Sequence, residues 1–386
     1  MKNTIILILQ IIILGIVSSC EKNEEGITFV DFSDNVFYEW CLSSFDLDGD
    51  QELSFRELYL VTEMNIPAQY NGQTIKSLGG IENFAYLEQL TCSDNTELTS
   101  LDLSKCSYLK KADCHNCNIS SLNLSGCSRL EELYCYSNSL NELNLSDFES
   151  LAYLYCDFNV LRSLDFTNNP DLKEISCSGN KLQGDLNLSK CTKLEALLCE
   201  KNSIESIDIT ECTSLKTLIC YSNKLTAIDI YSKALEILSC SGNDISWLHV
   251  ANCENLQELY CSENPSMQIL GIKGCVSLKT LECYSNNLSS LNMSDSKDLT
   301  HIDCHNNVLS SITLNSTLIT YLDVSQNVLQ ALDISLCPAI KCLYFTLNRP
   351  LNNIYVNENI DVTNLRNVNG EAIDLGGGDK SVLQYK

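Results

Sequence analysis

Leu151-Ala152-Tyr153-Leu154-Tyr155-Cys156-Asp157-Phe158-Asn159 is one copy of a phrase, Leu-x-x-Leu-x-Cys-x-x-Asn, that recurs along most of the chain. The first copy begins at Leu87-Leu90-Cys92-Asn95, and the cysteine then returns at 114, 135, 156, 177, 199, 220, 240, 261, 283 and 304. Two later copies carry Val324 with Asn327 and Phe345 with Asn348 in the same places. Thirteen copies at a spacing of 20 to 22 residues predict a solenoid, because self-similarity at that period marks stacked coils. Within Tyr153–Asp157 a strand would turn Leu154 and Cys156 inward and Tyr153, Tyr155 and Asp157 toward solvent. Parallel strands stacked about 4.8 Å apart would make a slab about 60 Å long. The asparagine at each turn is placed to bond backbone groups of neighbouring coils that would otherwise be buried without partners. A second half-repeat, as in Leu98-x-x-Leu101-Asp102-Leu103-Ser104, closes each coil on the opposite side.

Period and residues together resemble the leucine-rich repeat, whose consensus also permits the cysteine that replaces asparagine at Cys117. The match is to internalin-like repeats, and more closely to leucine-rich-repeat lipoproteins of the Bacteroidota, over about residues 36 to 350. The resemblance implies an α/β solenoid, a horseshoe with parallel strands on its concave face and a helical, EF-hand-like N-terminal cap.

The N-terminus reads as an address. Lys2, an apolar run from Ile5 to Val17 and then Ser18-Ser19 describe a secretory signal peptide. The run is too short for a comfortable membrane span. Val17-Ser18-Ser19-Cys20 resembles the bacterial lipobox, which implies a lipid on Cys20 as the new N-terminus. Glu21-Lys22-Asn23-Glu24-Glu25 resembles the acidic export signals of Bacteroidota surface lipoproteins, so an outer-membrane lipoprotein exposed at the cell surface is expected. The chain then divides into a signal peptide (1–19), lipidated cysteine and tether (20–35), cap (36–66), solenoid (67–350) and C-terminal cap and tail (351–386). With 25 basic and 50 acidic side chains the formal charge is −25. Such a surface repels nucleic acid and anionic membrane, so neither is an expected partner beyond the lipid anchor itself.

Twenty-two cysteines in an exported chain ordinarily point to disulfides. Here eleven lie in the strand ladder and seven in a second ladder at 106, 127, 191, 212, 253, 275 and 337. Val324 and Phe345 fill the same position as the strand cysteines, so the site asks for an apolar side chain, and free cysteine packs as one. Reduced, buried thiols are expected. Cys114-His115-Asn116-Cys117 and Cys304-His305 look like a zinc half-site and a thiol–base pair, but both follow from ladder position.

Residues 36–64 break the repeat. Phe37, Trp40, Cys41 and Phe45, and again Phe55, Leu58 and Val61, are spaced as on helices. Between them, Asp46 to Glu57 resembles the twelve-residue EF-hand loop, with Asp46, Asp48 and Asp50 at positions one, three and five and Glu57 at twelve. Ser54 stands ninth, and Glu52 would offer its carbonyl at the seventh place. The usual glycine at six is Gln51, at a cost on the order of 1 kcal/mol for positive φ. The resemblance implies a structural calcium ion pinning two helices over the first coil.

On the outward strand positions stand Tyr134, Tyr136, Tyr153, Tyr155, Tyr221, Tyr260 and Tyr284, with Tyr321, Tyr344, His115, His301 and His305 further along or among them. Tyrosines give broad amphipathic contact at low entropy cost and are enriched in binding hot spots. No nucleophile–base–orienter trio, phosphate loop or carboxylate pair stands apart from the repeat, and the 36 residues after Pro350 are too few for a catalytic domain. The expected function is non-enzymatic: a surface binding protein offering a tyrosine-rich acidic face to a protein ligand. Glycan capture, through sugar stacking on the rings, and a purely structural envelope role are the alternatives.

Overall fold

The structure, a computed structural model, describes residues 31–230, 232–348, 351–358 and 383–385. The signal peptide, Cys20, most of the tether and most of the C-terminal tail lie outside the described residues. Fourteen three-residue strands form one parallel sheet in strict sequence order, from Glu63–Asn65 through Tyr153–Tyr155 to Cys342–Tyr344. Leu133, Leu154 and Ile175 stand in register on successive strands and are fully buried. Each such side chain contributes about 1.5–3 kcal/mol by leaving water. On the other side of each coil, short parallel pairs such as Ser100–Asp102 with Ser121–Asn123 close the core. The recurring Asn-Leu-Ser phrase serves that side: Asn123 Oδ1 accepts from the Ser125 amide at 3.1 Å and its hydroxyl at 2.8 Å, turning the chain back.

Asparagine does what the spacing predicts. The Asn138 side-chain amide donates to the Cys114 carbonyl at 2.9 Å and the Cys135 carbonyl at 3.1 Å, while its oxygen accepts from the Ile119 amide at 2.9 Å. One side chain thus fastens two rungs. At the variant rung the Cys117 thiol donates to the Cys92 carbonyl at 3.3 Å and supplies only part of this.

Two features were not read in advance. The residue two places after each ladder position is left-handed in all thirteen rungs, as in Asn116, Ser137 and Phe158 with φ of 53°, 55° and 51°. Only Gly179 and Gly242 hold that conformation free of a Cβ clash. The stack imposes it, since from this turn the Ser137 amide reaches the Asp157 carbonyl and the Phe158 amide the Ser178 carbonyl, both at 2.8 Å. The second feature is a hairpin, Gln69–Tyr70 with Gln73–Thr74, whose Asn71-Gly72 turn is a strong local signal.

The cap is shorter than 36–66. Glu63–Asn65 pairs with Gln89–Thr91 as the first strand of the sheet, and Met64 and Ile66 occupy the Leu and Cys positions of the phrase without its cysteine or asparagine. Helix α1 (Asn35–Phe45) starts on Asp34, one carboxylate oxygen of which accepts from the Val36 and Phe37 amides. The other oxygen accepts from the backbone amides of Lys76 and Ser77 and ties the helix to the first coil. Helix α2 is a single turn, Phe55–Leu58. Val61 lies beyond it yet is buried, so its helical spacing from Leu58 is fortuitous.

All 21 described cysteines are free and twenty are buried. Thiols of the second ladder donate to carbonyls one rung back, as Cys127 does to Leu103 at 3.2 Å. Burial pushes the thiols of Cys127 and Cys240 up to about 12. A thiolate is the species that reacts. Iodoacetamide at pH 8 is therefore expected to leave the buried thiols unmodified in the folded chain and to alkylate them all in denaturant, as read by mass spectrometry. Rung-to-rung disulfides in the denatured digest would contradict the packing.

Candidate functional site

Stacking strands at one residue per row turns the repeat into columns of outward side chains. Asp113, Tyr134, Tyr155 and Ser176 stand in one register row, and Lys111, Glu132, Tyr153 and Glu174 in the next. Inter-strand spacing suits aromatic stacking, and the rings use it: Tyr134 and Tyr155 lie 5.1 Å apart and nearly parallel at 11°. Lys111, from the strand on the other side, holds its ammonium 5.0 Å from the Tyr134 ring. Tyr136 instead stacks on His115 at 4.4 Å. Tyr153 has Lys173 at 5.8 Å from its ring. The four tyrosines 134, 136, 153 and 155 are thus neighbours, Tyr134 and Tyr155 paired with each other and Tyr136 and Tyr153 held by His115 and Lys173.

The remaining predicted tyrosines are dispersed. Tyr221 meets Lys201 at 5.9 Å, Tyr260 donates to Glu258 at 3.0 Å, and Tyr284 stacks on His305 at 4.7 Å. Tyr134 donates to Glu132 at 3.1 Å, and Tyr155 donates to Glu174. Burial, reinforced by the adjacent carboxylate, pushes the hydroxyls of Tyr134 and Tyr260 up to about 12 and that of Tyr155 upward too. These phenols stay protonated donors, the opposite of what a nucleophile needs. The arrangement offers half-buried ring edges, fixed hydroxyls and a fringe of carboxylates, which is contact surface.

Histidines were the part least legible in the sequence. His301 stacks on Tyr321 at 4.2 Å and sits 3.8 Å from Glu282. His115 and His305 each hold an aspartate two residues earlier, Asp113 at 2.6 Å and Asp303 at 2.7 Å. The signal lay in the repeated phrase Asp-Cys-His-Asn, at 113–116 and 303–306.

In the cap loop the structure gathers half of the expected ligands. Carboxylate oxygens of Asp46, Asp48 and Asp50 lie within 4.8 Å of one another. Asp46 also accepts from the Gly49 amide at 2.7 Å and the Gln51 amide at 3.0 Å, and Gln51 has the positive φ, 69°, that the sixth place requires. The negative field is felt at Tyr38, whose hydroxyl is raised by burial and then by Glu52, Asp46 and Asp50. Glu57 and Ser54 face each other instead. Glu57 accepts from the Leu47 amide at 2.7 Å, the Ser54 amide at 2.8 Å and the Ser54 hydroxyl at 2.7 Å, forming a capping box on α2. Burial alone would raise its carboxyl; these donors outweigh it and hold it below the usual range. Glu52 is exposed, its amide donating to Asp50 at 2.9 Å.

Among known proteins, residues 63–180 match the family model described as the Endo-beta-N-acetylglucosaminidase EndoS LRR domain. No curated protein sequence matches the chain. Solved structures similar to it include the functional domain of InlJ from Listeria monocytogenes, whose description notes a cysteine ladder. That pair shares 22% identity over 84% of this chain and 80% of the other, with a TM-score of 0.52. The internalin InlF from the same organism shares 18% over 87% and 88%, with a TM-score of 0.53. The Arabidopsis receptor kinase HAESA, solved with the peptide hormone IDA and the co-receptor SERK1, shares 17% over 77% and 61%, with a TM-score of 0.51. This is the leucine-rich-repeat fold, with internalins among its structural neighbours.

Proposed function

We propose that this chain is a non-enzymatic surface binding module that meets a protein ligand with the strand face around Tyr134, Tyr136, Tyr153 and Tyr155. The observation that carries the reading is the stacked pair Tyr134–Tyr155, held by Lys111, Glu132 and Glu174, because pre-ordered aromatic surface binds without a large ordering cost. The neighbours agree in kind: HAESA is described with a peptide hormone and a co-receptor. A glycan reading draws on the EndoS domain's name and needs open ring faces for sugar stacking. Here Tyr134 has Lys111 and Tyr155 on the strands to either side, which favours protein over glycan.

The test is binding to arrays of immobilised proteins and glycans. A protein ligand is expected to lose roughly 30-fold in affinity, about 2 kcal/mol, when Tyr134 and Tyr155 are both changed to Ser, and little when Tyr221 is. Retention on glycans alone would overturn the reading.

We further propose that Cys20 carries the lipid of a surface-displayed outer-membrane lipoprotein, the reading its lipobox supports. Asp46, Asp48 and Asp50, with the Glu52 carbonyl, would hold a structural calcium ion, while Glu57 braces the loop through Leu47. The bound ion would supply charge neutralisation for three close carboxylates. A ligand at ten times its Kd adds about 1.4 kcal/mol to the folded state. Millimolar calcium is expected to raise the melting temperature by a few degrees, and changing Asp48 and Asp50 to Asn to remove that increment. A wild-type melting curve unmoved by chelator would rule the ion out.

A further inference from the structure

Towards the C-terminal end of the sheet the register brings Glu282, Asp303 and Asp323 into one row on three successive strands. The next residue of that row, on the following strand, is Tyr344. His305, two residues beyond Asp303 on the same strand face, completes a compact group. One ligand atom from each of Asp303, His305 and Asp323 lies within 4.8 Å of the other two. Asp323 is 9% exposed, and one of its oxygens accepts from the Ser325 amide at 2.8 Å and the Ser325 hydroxyl at 2.6 Å, which fixes the carboxylate in place. His305 is oriented by its stack on Tyr284 at 4.7 Å. A rigid carboxylate and a rigid imidazole, converging from two strands, are a preorganised donor set.

The chain contains its own control. Asp113-Cys114-His115-Asn116 repeats the phrase Asp303-Cys304-His305-Asn306, with the same aspartate–histidine contact and a histidine–tyrosine stack in each, on Tyr136 of the following rung for His115 and on Tyr284 of the preceding rung for His305. In the first copy the strand neighbours of Asp113 are Thr91 and Tyr134, so no second carboxylate arrives. In the other copy the following strand delivers Asp323. Position, not phrase, makes the difference.

From this we infer that Asp303, His305 and Asp323 form a binding site for a divalent first-row transition metal on the strand face. One borderline imidazole beside two hard carboxylates is a mixed set that suits zinc, nickel or copper better than calcium, whose ligands are oxygen. Zinc ligands about 2.0–2.2 Å from the ion stand roughly 3.3 Å apart in a tetrahedron, so small side-chain rotations close the site. Three protein donors leave a position for water or for a donor from a bound partner. His305 would bind through one ring nitrogen as neutral imidazole, the other nitrogen keeping its proton. Glu282, adjacent in the row and 3.8 Å from His301, adds negative charge without joining the ligand set.

The experiment is equilibrium dialysis of the full chain against zinc alone at neutral pH, in millimolar calcium so that the cap loop does not compete. The wild type is expected to take up one saturable equivalent. His305→Ala and Asp323→Asn should each weaken that equivalent at least tenfold, and the matched control His115→Ala should keep it. Asp303→Asn, at a more exposed position, replaces Asp323→Asn should the latter fail to fold by circular dichroism. Cobalt should give visible absorption without a thiolate charge-transfer band, distinguishing this set from the cysteines. No saturable equivalent in the wild type, its retention in His305→Ala, its loss in His115→Ala, or a thiolate band would each overturn the assignment.

Discussion

Changing Asn180 to alanine is expected to cost about 2–4 kcal/mol, measured by chemical denaturation of the solenoid. The buried side-chain amide donates to the Cys156 carbonyl at 3.0 Å and the Cys177 carbonyl at 3.1 Å, and its oxygen accepts from the Leu161 amide at 3.0 Å. Alanine would strand the buried Leu161 amide, at about 1–3 kcal/mol, and remove one of two asparagine donors from each carbonyl, at about 0.5–1.5 kcal/mol apiece before relaxation. The carbonyls keep one donor each, Cys156 from Asn159 at 3.1 Å and Cys177 from Asn202 at 3.0 Å, so the Leu161 amide carries the largest share of the loss. The chain supplies a graded comparison. Asn180→Cys should recover part of the loss, since Cys117 shows a thiol reaching a carbonyl of the preceding rung from this position. Cys117→Asn should in turn stabilise the protein. An Asn180→Ala loss below about 1 kcal/mol would mean that the fastening role assigned to the ladder is wrong.

Phe37→Ala is expected to cost a similar 3–5 kcal/mol, the usual range for emptying a buried aromatic site. Its ring is fully buried, stacks on Trp40 at 6.1 Å and meets Phe32 edge-on at 5.5 Å. Trp40 continues to Phe45, and Phe45 to Phe84 in the first coil at 5.8 Å. This aromatic chain joins cap to solenoid. Because each rung touches only its neighbours, the damage should begin as fraying of the first rungs, with central rungs still folded. Hydrogen exchange resolved by peptide would show it: amides near Leu90 and Ala112 losing protection, those near Leu218 and Leu238 keeping theirs. Uniform loss along the chain would mean that the solenoid unfolds as one unit and that the cap is not its weak end.

The solenoid was legible because one physical rule, a buried side chain at every second strand position, is written thirteen times over. Where the writing lapsed, so did the reading. Met64 and Ile66 obey the packing rule without the cysteine and asparagine that advertise it, so the first strand passed for cap. Phe158 and Leu347 give no local hint of the left-handed turn they make, since that conformation comes from the stack and not from the residue. Outward residues could be named but not grouped. Rungs of 20, 21 and 22 residues decide which tyrosine faces which, and only register shows that Tyr134 meets Tyr155 while Tyr136 meets His115. The cap ligands divided for a similar reason: Glu57 stood at the right interval, but nearby amides and a hydroxyl claimed its oxygens.

The left-handed turn and its paired asparagine recur along the stack. Each rung presents its neighbours with nearly the same docking edge, whatever its outer residues are. Rungs are therefore interchangeable parts, and unequal crossing-over between gene segments can add or remove one without a mismatched joint. Leucine, cysteine and asparagine inside keep the coil standing, while the residues outside are answerable only to what they touch. Such a scaffold can drift toward new targets by exchanging whole cassettes, and its stability need not be renegotiated at each step.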